Sequence, residues 1–253
     1  IAHYTMEETS SPLVDQAGGE LALAVDFGHS YGLAGPPGLG NAVGVDSNGG
    51  WQLSVAESAE LRNLSNDITV AAWANIDSAL RASKTGAASA NDRIMGDDVA
   101  WDADGWSWGL VEGEMLFTKN GIIDARSTGF VPPTDQWFHV AVTVSSSAGI
   151  EFYLDGASVF TVDNTANMNT GLGNNGEEDP YGVGRSYGNA QEQWFPGSLD
   201  EVRVYDNVLT ALEIFELANP GVGVFELEIN RDTGTMTLKN NSNVDREISA
   251  IDI

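Results

Sequence analysis

The residues able to do chemistry in this chain are its carboxylates and its aromatic rings. Aspartate and glutamate number 37, against 11 lysines and arginines, 3 histidines and no cysteine. Without cysteine there is no thiolate nucleophile, zinc–thiolate site, iron–sulfur cluster or disulfide framework. Paired carboxylates cleave glycosides when held about 5–5.5 Å apart for retention, or about 6.5–9.5 Å for inversion. Residues i and i+2 or i+4 of one strand can deliver such a spacing. Glu112-Gly113-Glu114 sits at an expected hairpin turn, and Glu213 and Glu216 fall on an expected helix. Neither set is a poised pair, and the chain is read as non-catalytic. Asp97, Asp98, Asp102 and Asp104 crowd into one short stretch and could offer hard oxygen ligands to Ca2+. EF-hand spacing is absent there, and a solvated acidic loop is the plain alternative. The acidic run at 174–179 reads the same way.

Sugar rings stack on exposed indole and phenol faces while polar groups fix their hydroxyls. Trp51, Trp101, Tyr181, Tyr187 and Trp194 lie in or beside expected loops and are the candidates for a glycan platform. Trp73, Trp106, Trp108 and Trp137 sit inside strand patterns and are expected to pack. His139, also within a strand, reads as a structural histidine. No phosphate-binding glycine loop opens a helix.

The elements that must position these residues are mostly strands. Short β-branched and aromatic runs alternate with Gly, Asn, Asp and Ser clusters. In the run 137–144, Phe138, Val140, Val142 and Val144 share one face, while His139, Ala141 and Thr143 share the other. Asp155-Gly156 between two such runs predicts a tight hairpin. Thr210-Ala211-Leu212-Glu213 is a capping box that opens one helix, and Asn219-Pro220-Gly221 closes it. The Ala/Ser-rich stretch 80–90 is expected to be a loop. Many strands and one small helix predict an all-β, two-sheet antiparallel sandwich. A composition shift at 219–223 divides the chain into a domain over 1–219 and a β-rich appendage over 220–253. Three strands are expected in that appendage, at 225–230, 235–239 and 246–253. It is too small for its own core, so it is expected to dock on the sandwich, to self-associate through 222–253, or to be part of a truncated further module.

A formal charge of −26 argues against nucleic acid, which needs a basic footprint, and against anionic lipid. No apolar run is long enough to span a membrane. A chain opening on Ile1 rather than methionine is read as a processed N-terminus, which would put the protein outside the cytoplasm; a recombinant fragment or a proteolytic trimming is the plain alternative.

Several motifs together carry a family resemblance. They are Ile68–Trp73, Gly105–Leu110, the Trp137–Thr143 strand, the Ile150–Gly156 hairpin, and Phe195–Tyr205 followed by Leu209–Ile214. Their order resembles the laminin-G-like, concanavalin A-like jelly roll over roughly residues 1–219. That resemblance implies a jelly-roll sandwich with a short C-terminal helix. It also implies a structural Ca2+ between the first strand and the closing strand, where the matching residues are Glu7 and Asp200. Glutamate stands at the first of these positions, where the family usually has aspartate. The E-x-D-x-x-E strand of the family's glucanases and the motifs of its alginate lyases are absent. The implied function is a secreted or cell-surface, bacterial binding module for a glycan or an extracellular protein. The alternatives are a structural subunit of a surface fibre assembled through the C-terminal strands, and a glycan-active hydrolase or lyase.

Overall fold

The computed structural model describes residues 1–10, 12–18, 23–45, 52–55, 59–62, 64, 66–85, 90–97, 105–163, 181–187, 193–222 and 225–240. Two antiparallel sheets face each other. The first runs β13 (Ala157–Val162), β12 (Gly149–Leu154), β11 (Trp137–Ser145), β6 (Ile68–Ile76), β16 (Gly197–Tyr205), β4 (Asn41–Gly44), β3 (Ser30–Ala34). β1 (Ala2–Tyr4) also pairs with β16. The second runs β10 (Ile123–Arg126), β9 (Glu114–Lys119), β8 (Trp106–Val111), β7 (Asn91–Asp97), β14 (Tyr181–Val183), β5 (Gln52–Val55), β2 (Leu23–Phe27). The two-residue β15 (Ser186–Tyr187) joins β7 in parallel.

Alternation along the strands builds the core between the sheets. Ile68, Val70, Ala72, Ala74 and Ile76 of β6 meet Phe138, Val140, Val142 and Val144 of β11 in one buried cluster. Trp106 and Trp108 of β8 are buried in it, as their strand pattern predicts. The opposite face of the first sheet is covered over part of its area by α3 (Ala211–Ala218). The expected capping box opens this helix: the Thr210 hydroxyl accepts from the Glu213 N–H at 3.3 Å, and the Glu213 carboxylate accepts from the Thr210 N–H at 2.7 Å. Ile214 then packs on Ala71, Ala141, Tyr153 and Leu209. Small residues at 71 and 141 are what let a helix lie against the sheet there.

The stretch expected to be a loop at 80–90 instead begins in α2 (Ser78–Ser83). The missed signal lies just upstream, where Asp77 caps the helix by accepting from the Leu80 N–H at 2.8 Å. α1 (Ala59–Arg62) is one further turn, held by the buried Leu61. β2, β3 and β10 are short strands that alternation did not reveal. β17 (Phe225–Ile229) and β18 (Met236–Asn240) form a small C-terminal sheet that, among the described residues, pairs only with itself. The strand expected at 246–253 lies outside the described residues.

One buried charge cluster links α2 to the second sheet. The Lys84 ammonium, its side chain sealed from solvent, donates to the Asp92 carboxylate at 2.6 Å and to the carbonyls of Asn91 and Trp194 at 2.7 and 2.8 Å. Arg81 approaches the other Asp92 oxygen at 3.0 Å. Burial pushes the Asp92 carboxyl up, against the pull of Lys84, Arg81 and Arg93.

A candidate binding groove on the outer face of the first sheet

The same alternation that sends Phe138 inward sends Trp137 outward, and likewise Trp73 and Asn75 between Ala72, Ala74 and Ile76. Cross-strand register sets Trp137 opposite Asn75 and His139 opposite Trp73. α3 covers the row containing Ala71 and Ala141, and beyond its C-terminal end the face is open. A groove of about 620 Å³ lies there. Half-buried Trp73, Asn75 and Trp137 line it from the sheet. Asp135 and Gln136 border it from the segment leading into β11, Asp155 from the β12–β13 turn, and Asn219 from the end of α3.

Both aspartates are fixed by the backbone. One Asp135 carboxylate oxygen accepts from the Ser78 N–H at 2.9 Å, which holds its pKa below the usual range. One Asp155 oxygen accepts from the His139 N–H at 2.9 Å. Each residue adopts left-handed backbone, with φ of 59° and 50°. For Asp155 the reason is local, since an Asp-Gly hairpin turn needs positive φ at both positions, and Gly156 has φ of 81°.

A further carboxylate stands next to Trp73. Asp200 of β16 is its cross-strand partner on the other side. Asp200 is fully buried, and one of its oxygens accepts from the Glu201 N–H at 2.7 Å. The other oxygen has no hydrogen-bond partner among the described residues. Burial foremost, with the negative charges of Glu201 and Glu7, pushes the Asp200 carboxyl up to about 8. Arg203 binds Glu201 instead of Asp200. Tyr4 and Met6 are buried while Glu7 is exposed, its carboxylate accepting from the Asn41 N–H at 3.2 Å. Met6 and Glu201, the neighbours of these two acids, also have left-handed backbone, with φ of 55° and 51°. Among the described residues, no group of three or more His, Asp or Glu is placed to hold a metal.

Gly40 makes room for Glu7. A Cβ there would lie 2.3 Å from a Glu7 carboxylate oxygen, and φ is +84°. Gly40→Ala is therefore expected to displace the Glu7 carboxylate and to destabilise by about 1–2 kcal/mol. Chemical denaturation of the variant measures the loss.

Two residues expected on an exposed glycan platform are core residues instead. Tyr181 is 2% exposed, packs against Trp106 at 5.4 Å between ring centroids, and donates to the Leu61 carbonyl at 3.5 Å. Trp194 is 7% exposed, and the Lys84 ammonium lies 5.1 Å from its ring centroid. Burial and the cation deny both rings to a ligand. Conversely Trp73 and Trp137, expected only to pack, are the rings that line a groove. Strand parity is the signal that identifies them, because it opposes each to core neighbours. Trp51, Asp98, Trp101, Asp102 and Asp104 lie outside the described residues, as do residues 174–179 and the side chains of Asp97 and Tyr187.

These features define a β-sandwich of jelly-roll class with a ligand-sized groove on one outer face. The chain belongs to the concanavalin A-like lectin/glucanases superfamily, whose laminin-G-type family model matches residues 45–215. Among solved structures it is similar to the binding domain of Paraclostridial Mosquitocidal Protein 1, with a TM-score of 0.61 and 18% identity over 87% of this chain and 51% of that one. It is also similar to the botulinum neurotoxin serotype D ligand-binding domain in complex with N-acetylneuraminic acid, with a TM-score of 0.63 and 13% identity over 87% and 50%. A third is the binding domain of botulinum neurotoxin DC in complex with rat synaptotagmin II, with a TM-score of 0.55 and 14% identity over 87% and 51%. The likeness is one of fold, and the chain spans about half the length of these structures. No curated protein sequence matches it. No described helix is long and apolar enough to cross a membrane.

Proposed function

We propose that this chain is an extracellular, non-catalytic recognition module that binds glycan in the groove of Trp73 and Trp137. The carrying observation is that groove: two half-buried indoles beside amides and anchored carboxylates, on a face that the sandwich core does not use. Indole faces stack on the C–H faces of sugar rings, while Asn75, Gln136 and Asn219 offer donors and acceptors to hydroxyls. The similarity to toxin domains solved with a sialic acid and with a protein supports a recognition role for this fold. Asp135 is not poised as a general acid. A general acid needs a raised pKa, whereas the Ser78 N–H holds Asp135 low.

A glycan array tests the reading. Trp73→Ala and Trp137→Ala are each expected to weaken binding about tenfold or more, the value of one lost stacking contact of about 1.4 kcal/mol. No reducing ends are expected from any bound glycan. Binding that survives both substitutions, or product release, defeats the proposal.

A structural Ca2+ belongs to the same reading. The orphaned oxygen of buried Asp200, with the Glu7 carboxylate close enough to raise its pKa, fits a divalent cation completed by backbone carbonyls. When bound, the cation would tie the first strand to the closing strand. At a hundredfold excess over Kd it would stabilise by about 2.7 kcal/mol. Chelation is then expected to lower Tm by about 5–10 °C, with Asp200→Asn abolishing the difference. A Tm indifferent to both chelator and Ca2+ removes the metal from the proposal.

A further inference from the structure

We propose that the groove selects cationic amino sugars, that is, glycan rings carrying a free ammonium, over neutral or anionic ones. This rests on the glycan-binding reading above and names the ligand class. Among the described residues lining the groove are two exposed aspartates and no lysine, arginine or histidine. Each aspartate has one oxygen committed to a backbone N–H, Asp135 to Ser78 and Asp155 to His139. These bonds fix where the carboxylates stand and pre-pay the cost of ordering them. The Asp135 carboxylate is ionised at neutral pH, because the Ser78 bonds favour its charged form. An ionised carboxylate is an acceptor only, and a charge-assisted bond from an ammonium is roughly twice as strong as a neutral one.

The indoles reinforce that preference. A cation over an indole face gains about 0.5–2 kcal/mol from the ring quadrupole, on top of C–H stacking. A neutral sugar would use the indoles and the amides but leave the carboxylates without an opposite charge. An anionic sugar would meet two like charges in the groove and a net charge of −26 on the whole chain. An amino sugar alone uses every kind of group in the lining. Its ring lies on Trp73 or Trp137, its hydroxyls meet Asn75, Gln136 and Asn219, and its ammonium meets Asp135 or Asp155.

The test is a matched pair of ligands differing only in charge: a fully deacetylated glucosamine tetramer and its fully N-acetylated counterpart, titrated by calorimetry onto the whole chain. The deacetylated tetramer is expected to bind at least tenfold more tightly. Asp135→Asn/Asp155→Asn keeps both backbone acceptors and is expected to erase that preference. Asp163→Asn/Asp206→Asn removes the same charge from exposed positions away from the groove and is expected to preserve it. Equal or tighter binding of the acetylated tetramer overturns the proposal while leaving the glycan-binding reading intact. So does an equal loss in the Asp163/Asp206 variant, which would reduce the effect to long-range attraction. If neither tetramer binds and the array is also blank, the underlying reading falls and takes the proposal with it.

Discussion

Lys84→Ala is expected to cost about 3–5 kcal/mol of folding stability, the range for removing one partner of a buried ion pair. The Lys84 and Asp92 side chains are both sealed from solvent and 2.6 Å apart. Truncating the lysine leaves the Asp92 carboxylate buried with the partly exposed Arg81 and the charge of Arg93 to offset it. It also strips a donor from the carbonyls of Asn91 and Trp194 and opens a void beneath the Trp194 ring. The paired replacement Lys84→Met/Asp92→Leu removes both charges and keeps the volume, so most of the loss is expected to return. Arg81 can then turn outward, since its side chain already reaches solvent. Urea unfolding of the parent and the two variants separates the outcomes. A single variant as stable as the parent would mean that the cluster is solvated in solution.

Acidification is expected to unfold the protein partly through His139. This side chain is 2% exposed, one ring nitrogen has no hydrogen-bond partner among the described residues, and its ring packs edge-on against Trp73. Burial first, then the nearby positive charge of Arg203, pushes its pKa down to about 3, although Glu201 pulls the other way. The ordinary value for histidine is about 6.5. Between these values the unfolded chain binds a proton that the folded chain refuses. Stability is therefore full above about pH 6.5 and is lost as pH falls towards 3, by an amount on the order of 4 kcal/mol. Glu201, whose pKa burial raises but His3 and Arg203 together bring below the usual value, acts in the same direction at lower pH. His139→Phe isolates the histidine, because it fills the site without a titrating group. The variant is expected to flatten the stability profile between pH 6 and pH 4, and an unchanged slope there would refute the assignment.

Much of the sandwich was legible in the sequence because its signals are local. The alternation of 137–144 gives β11 its core face, Asp155-Gly156 gives a hairpin, and Thr210 with Glu213 gives a helix start. The groove was not legible because strand membership does not say which face of a strand stays open. Parity puts Trp73 and Trp137 opposite the core, but whether that face is covered depends on where α3 lands. α3 lands on Ala71 and Ala141 and stops short of the tryptophans. The platform residues failed for the same reason in reverse. Trp194 sits beside a loop, yet its carbonyl and ring meet a lysine 110 residues earlier in the chain. No local pattern announces such a partner. Glu7 and Asp200 came from family resemblance, not from any feature of their own surroundings in the sequence.

The position of α3 also separates two kinds of change. Its inner side, centred on Ile214, rests on Ala71, Ala141, Tyr153 and Leu209, while its last residue Ala218 and its C-cap Asn219 form an end wall of the groove. An added helical turn would advance that wall by about 5.4 Å across the sheet without moving a core side chain. A lost turn would open the face by the same step. Helix length can thus reset how much of the face stays open, and longer or shorter closing helices would change the length of the groove while keeping one sandwich.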